Sequence, residues 1–207
     1  MAELVFYTNP MSRGRIVRWM LEEVGAPYSV ETLGFGDLGS SAYAAVNPMR
    51  KIPSIVHDGR VVTECAAICA YLADAFPEAG LAPARADRHD YYRWLFFAAG
   101  PVEAAVTNKA LGVTVSPEQT GMVGYGDYDR MVDALEAGVA GKRFIAGDAF
   151  SAADVYVGSQ IAWGTQFGTL PKRDAFMAYL APLMARDGYK RATEKDDALV
   201  KEMEGAG

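Results

Sequence analysis

The strand signals of this 207-residue chain gather before residue 64 and nearly vanish beyond residue 86, where helical stripes take over. Leu4 to Tyr7 is a short apolar run of buried-strand type, and Tyr28 to Leu33 alternates enough for a second strand. Ser54-Ile55-Val56 and Arg60-Val61-Val62 flank His57-Asp58-Gly59, where the Asp-Gly pair predicts a hairpin. Between the strands, Ile16, Val17, Met20, Leu21 and Val24 fall on one helical stripe. Arg13, Arg15, Arg18, Glu22 and Glu23 are assigned to the opposite, polar face, and Gly25 to the helix stop. After a loop over 34–40 comes a short helix through Ala45, and Ala66 to Phe76 is a helix ended by Pro77. The order is β-α-β-α-β-β-α. Strands joined through a helix run parallel, and the hairpin adds antiparallel ones, so a mixed four-stranded sheet is expected.

Pro77 to Ala86 (PEAGLAPARA) has the composition of a linker. The expected organisation is therefore residues 1–77 as an α/β domain, 78–86 as linker and 87–207 as an all-helical domain. Tyr91, Trp94, Leu95, Ala98, Val102 and Val106 trace one stripe, with Pro101 a kink. Ser116-Pro117-Glu118-Gln119 has the form of a capped helix start that runs on through Tyr128, Met131, Val132, Leu135 and Val139. Ser151-Ala152-Ala153-Asp154 is spaced as a capping box, with Phe150 and Val155 at staple positions. Phe176, Tyr179, Leu180, Leu183 and Met184 mark a last amphipathic helix, and the tail from Glu194 is expected to fray.

Composition removes several functions. Twenty basic against 26 acidic residues leave a net charge of −6, which opposes a phosphate backbone, so no nucleic-acid partner is expected. No apolar run reaches the roughly 18 residues of a membrane span. The start, Met1-Ala2-Glu3-Leu4, lacks a basic region before an apolar core, and a cytoplasmic location is expected. His57 and His89 stand far apart with no Cys or His at a ligand interval, so no metal is expected. Cys65 and Cys69, one helical turn apart, are poorly spaced for a disulfide and are expected to be buried. No Gly-x-Ser-x-Gly elbow, phosphate loop or dinucleotide fingerprint occurs, and Gly124-Tyr125-Gly126 follows no strand.

Three places in the first domain still carry polar chemistry. Tyr7-Thr8-Asn9-Pro10-Met11-Ser12-Arg13 brings hydroxyls to a helix N-terminus, where Ser12 either caps the helix or serves an anion. Lys51-Ile52-Pro53 follows Asn47-Pro48. Pro53 is either an ordinary edge-strand proline or, if its peptide bond is cis, a device that turns the Ile52 backbone outward. Thr63-Glu64-Cys65 joins the hairpin to a helix. There Glu64 either receives an ammonium beside helix N–H groups or only favours the helix dipole.

Together, Tyr-x-x-Pro-x-Ser-Arg, Asn-Pro…Lys-Ile-Pro-Ser and Thr-Glu-Cys-Ala-Ala-Ile resemble the thioredoxin-like domain of cytosolic, bacterial-type glutathione transferases. Phe-Ser-Ala-Ala-Asp-Val at 150–155 and the segment Tyr179 to Ala192 are similar to the helical half of the same family. The resemblance implies that Ile52 pairs its backbone with the cysteinyl part of glutathione, with Pro53 holding the turn. It places Glu64 and Cys65 on the γ-glutamyl group, Cys65 standing where the family has serine, and Lys51 near the glycyl carboxylate, with Arg50 a second cation. The activating hydroxyl is Ser12 by its Pro-x-Ser spacing, or alternatively Tyr7 at the end of the first strand.

The resemblance also implies a reaction. Glutathione is a co-substrate rather than a bound cofactor. Its thiol, near pKa 8.5 when free, needs about 2.7 kcal/mol of selective stabilisation to drop about two units. One hydroxyl donor to an anion contributes roughly 1.5–3 kcal/mol and a helix terminus about 0.3–2. The thiolate then attacks a small hydrophobic electrophile against Met11, Phe96 and Phe97. Glutathione-dependent disulfide or peroxide reduction, and a non-catalytic binding module, are the alternatives. A homodimer is expected from the same resemblance.

Overall fold

The computed structural model describes residues 3–205; Met1, Ala2, Ala206 and Gly207, at the ends of the two expected domains, lie outside it. The chain divides into two compact units, one running to Leu81 and resuming at Arg186, the other spanning Ala82–Ala185. The first contains β1 (Leu4–Thr8), α1 (Gly14–Val24), β2 (Ser29–Thr32), α2 (Ser41–Val46), β3 (Ser54–His57), β4 (Arg60–Thr63) and α3 (Cys65–Ala75). The sheet order is β2-β1-β3-β4, with β1 parallel to β2 and antiparallel to β3, and β3 antiparallel to β4. This is the mixed four-stranded sheet of a thioredoxin-like domain. Along β1, Leu4, Phe6 and Thr8 are buried while Val5 and Tyr7 are half-buried, the period-two alternation of a strand. Phe6 and Ile55 from the sheet, Val17, Met20 and Leu21 from α1, and Ile68 and Leu72 from α3 are all inaccessible to solvent.

The polar face of α1 is not solvated as its sequence implies. Arg18 and Glu22 are 2% and 7% exposed because a further helix, α9 (Asp187–Gly205), packs along them. Of the tail from Glu194, expected to fray, the described residues to Gly205 are part of that helix. Arg18 Nε pairs with Asp196 at 2.8 Å, Arg15 with Asp197 at 2.8 Å, Glu23 with Arg186 at 2.8 Å, and Glu22 with Lys195 at 2.5 Å. Trp19 adds an edge-on contact with Tyr189, ring centroids 5.0 Å apart. Residues 187–205 thus pack with the α/β unit rather than with the helical domain expected over 87–207. The reason is electrostatic: the charges on α1 would be costly to bury alone, and α9 brings the complementary ones.

The second unit holds α4 (His89–Phe97), α5 (Glu103–Ala110), α6 (Tyr128–Val139), α7 (Ala152–Phe167) and α8 (Asp174–Met184), and no strand among the described residues. Pro101 sits in a π-helical turn, Ala98–Val102, that joins α4 to α5. Ser116 does not open α6: only one 3-10 turn, Pro117–Gln119, follows it, and α6 starts after an Asp127 cap. Gly121, Gly124 and Gly126 intervene, and glycine weakens a helix by about 1 kcal/mol per residue.

The box at 151–154 is realised. Asp154, with no exposed surface, accepts from the Ile145 N–H at 2.8 Å, the Tyr179 hydroxyl at 2.8 Å, and the Ser151 N–H and hydroxyl at 2.9 and 3.0 Å. Burial pushes its carboxyl above the ordinary range although each of these bonds works the other way, and burial likewise pushes the Tyr179 phenol well up. Asp154→Ala leaves several buried donors without an acceptor and is expected to cost about 3 kcal/mol or more, read from chemical denaturation.

At Glu22, burial works to raise the pKa, but hydrogen bonds from Lys195, Tyr28 and Arg191 win and hold it below the ordinary 4.5. A carboxyl lowered on folding stabilises the folded chain above its unfolded pKa, and that contribution is lost as pH falls through the lower folded value. The melting temperature should therefore drop on going from about pH 6 to about pH 3.5, and drop less in Glu22→Gln.

Candidate functional site

The sheet register brings three separated segments together. Tyr7 pairs with Ser54 across β1 and β3, and Ser54 pairs with Thr63 across β3 and β4. Tyr7, Ser54 and Thr63 therefore form one row at the same end of the sheet. Asn9 to Arg13 leaves β1 at that end, Ile52-Pro53 enters β3 there, and Glu64-Cys65 leaves β4 there into α3. The Cys65 thiol lies 3.8 Å from the Arg13 carbonyl, so the openings of α1 and α3 touch.

The turn after β1 is held by its own polar groups. Asn9, fully buried, donates through Nδ2 to the Leu33 carbonyl at 2.8 Å and accepts from the Met11 N–H at 2.9 Å. Ser12 Oγ donates to the Asn9 carbonyl at 2.7 Å and accepts from the Gly14 N–H at 3.0 Å. Ser12 thus closes the turn ahead of α1 rather than capping it: the helix begins at Gly14, with Arg13 at its cap and no side-chain cap. Gly14 is required by close approach: a Cβ there would lie 1.9 Å from Thr8 Oγ1. Thr8 is buried and its hydroxyl has no hydrogen-bond partner among the described residues. Tyr7 is half-buried, its ring 5.8 Å from that of Tyr43, and its hydroxyl makes no hydrogen bond among the described residues.

The segment before β3 is fastened at Lys51, whose carbonyl accepts from the Tyr43 hydroxyl at 2.6 Å and from Asn47 Nδ2 at 2.7 Å. Burial pushes the Tyr43 phenol up, which keeps it a donor. The role of Tyr43 is missing from the sequence analysis, since a tyrosine in a short helix gives no hint of which carbonyl it will meet. The Ile52-Pro53 bond is cis, and the Ile52 backbone makes no hydrogen bond among the described residues. Arg50, at φ 54, and Lys51 are exposed beside it.

At the start of α3, Glu64 is exposed and held at φ 66, an uncommon conformation for a residue with a Cβ. No side chain caps this helix. Cys65 is half-exposed rather than buried, because its thiol faces the α1 opening; Cys69 is buried, and burial pushes its thiol well up, leaving it a core residue. Met11 is exposed on the turn and Phe96 is exposed on α4, whereas Phe97 packs edge-on against Trp94 at 5.4 Å. His57 is buried against Phe76 and bonded to Tyr71, His89 is exposed, and no group of side chains suited to a metal occurs among the described residues. A cavity of about 400 Å³ lies at the other end of α1, by Pro27, Tyr28 and Lys195, where Glu22 accepts from the Tyr28 hydroxyl and from Lys195.

A family model described as the glutathione S-transferase N-terminal domain matches residues 11–75. The protein LigF of a Sphingobium species is 42% identical over 62 residues, an alignment covering 27% of this chain and 24% of LigF. The chain thus spans about a quarter of the length of this curated relative. A glutathione transferase structure from Methylococcus capsulatus is similar with TM-score 0.76 and 26% identity, over 94% of this chain and 99% of that one. Residues 11–75 thus carry the glutathione S-transferase N-terminal domain. A sphingomonad glutathione S-transferase, solved in complex with glutathione, matches with TM-score 0.76 and 26% identity over 93% of this chain and 98% of its own. The Xylella fastidiosa enzyme, at TM-score 0.78 and 20% identity, shares the fold. No described helix is long and apolar enough to cross a membrane.

Gly14→Ala is expected to destabilise the protein by about 1–3 kcal/mol through overpacking. The double variant Thr8→Ala with Gly14→Ala should recover part of that loss in the same denaturation assay, because the nearest clashing atom is gone.

Proposed function

We propose that the protein is a glutathione transferase that binds glutathione at the Tyr7–Ser54–Thr63 end of its sheet and activates the thiol for attack on a hydrophobic electrophile. The observation that carries this is the convergence, by strand register, of an unpaired Ile52 backbone, a strained Glu64 opening α3, and the Ser12 turn opening α1. In this proposal the Ile52 N–H and C=O pair with the cysteinyl part of the tripeptide. Glu64 takes the ammonium of the γ-glutamyl group and the uncapped N-terminus of α3 its carboxylate, while Lys51 and Arg50 face the glycyl carboxylate.

Ser12 is the proposed thiolate donor. Its proton rests on the Asn9 carbonyl, and turning it to sulfur gives up a neutral hydrogen bond of about 1 kcal/mol. A bond to an anion returns roughly 1.5–3 kcal/mol, so the exchange favours the thiolate. The Gly14 N–H keeps hold of the oxygen during that rotation. Met11, next in the chain and exposed, offers the electrophile an apolar contact. Tyr7 is the competing donor.

The deciding measurement is glutathione-dependent turnover of an activated aromatic halide. Ser12→Ala should lower kcat/KM by about 2–30-fold, the kinetic equivalent of the net 0.5–2 kcal/mol, with Tyr7→Phe close to the parent. The reverse outcome would transfer the role to Tyr7, and turnover with disulfides or peroxides alone would replace conjugation by redox chemistry. Since a thiol is a poorer donor than a hydroxyl, Cys65→Ser should tighten glutathione binding several-fold by calorimetry.

A further inference from the structure

In the Asn9–Arg13 turn the Met11 and Ser12 N–H groups both bond to Asn9. The Asn9 carbonyl takes the Ser12 N–H and hydroxyl, but the Pro10 carbonyl is held from further along, by Arg15 Nε at 2.6 Å. The same guanidinium extends Nη2 to Asp197 Oδ1 on α9 at 2.8 Å. Two nitrogens of one rigid plane are thus engaged, one on the turn and one on a carboxylate 182 positions away in the chain. Fixing the second contact fixes the orientation available to the first, because the fork is planar.

Asp197 is itself placed by its neighbour. Asp196 forms the buried pair with Arg18, the two side chains 1% and 2% exposed, which sets the register of α9 against α1. The Arg15–Asp197 pair is partly exposed, at 29% and 53% of the two side chains, so it adds little to stability. Its consequence is geometric. A charged donor on a neutral carbonyl is a strong and directional bond, and this one anchors the residue two before Ser12.

We propose that Arg15, oriented by Asp197, is a positioning residue for thiol activation: it fixes the Pro10 carbonyl and through it the Ser12 oxygen. The inference rests on the glutathione role proposed above. It also makes α9 a functional part of the site without touching substrate. Charge alone is a separable explanation, since a nearby guanidinium also favours a thiolate; lysine keeps that charge but cannot span both contacts in one plane.

The test is titration of the bound glutathione thiol, followed by thiolate absorbance and by the pH profile of kcat/KM, in the full-length parent, Arg15→Lys, Arg15→Gln and Asp197→Asn. Affinity for S-methylglutathione, which lacks the titrating proton, is measured alongside. Both Arg15 variants should hold about ten-fold or more less thiolate at neutral pH, and Asp197→Asn about two- to five-fold less, with S-methylglutathione affinity unchanged. Should Arg15→Gln prove unstable, Asp197→Asn carries the test, its side chain being half exposed. An unchanged titration in Asp197→Asn and Arg15→Lys overturns the inference, as does a loss of S-methylglutathione affinity equal to the loss of activity. If the parent binds no glutathione in a calorimetric titration run first, it is the proposed function that fails, and the two failures are thereby told apart.

Discussion

The antiparallel register of β1, β3 and β4 is the constraint from which the candidate site follows. It aligns Tyr7, Ser54 and Thr63, and each is within two residues of a segment that leaves or enters the sheet with polar groups exposed. Register here is fixed by burial. Phe6 and Ile55 face the core from adjacent strands, and a slip of one residue would carry them to the opposite face and drive Val5 and Val56 inward in their place. The hydrophobic core therefore decides where the polar chemistry stands, although it contributes none of it.

Buried polar side chains act as fasteners in both units, each by completing hydrogen bonds that the backbone leaves open. Asn9 ties its turn to the chain after β2, Tyr43 and Asn47 tie the Lys51 carbonyl before β3, and Asp154 ties the start of α7 to Ile145 and Tyr179. Such groups are stable inside only when satisfied, so each specifies one local geometry rather than a family of them. In the first unit this rigidity surrounds Ser12 and Ile52. The residues proposed for glutathione, Ile52, Glu64, Lys51 and Arg50, are those whose N–H groups or side chains the fasteners leave unengaged or exposed.

Much of this was legible beforehand, and what was not has identifiable causes. The order of elements to residue 75 follows from period and turn residues, and the Ile-Pro, Glu-Cys and Pro-x-Ser segments could be singled out because few residue types suit such corners. Amphipathicity misplaced Arg18 and Glu22, since a polar stripe reads as solvated until a helix with matching charges is known to cover it. The charged tail failed for the same reason: Lys195, Asp196 and Asp197 look like a solvated end, yet each finds an opposite charge on α1. Ser116 announced a helix correctly in local terms, and the glycines after it stopped the propagation.

By itself the sequence determined the α/β-then-helical order, the hairpin, the capping box at Ser151 and the family resemblance, because these rest on local periodicity and on short motifs with a mechanical cause. Only the tertiary structure decided that the last helix belongs to the first unit, that Tyr43 locks the Lys51 carbonyl, and that Arg15 joins the Ser12 turn to Asp197. Those are contacts between groups distant in the chain, and complementarity of charge and shape across such distances leaves no periodic trace in the order of residues.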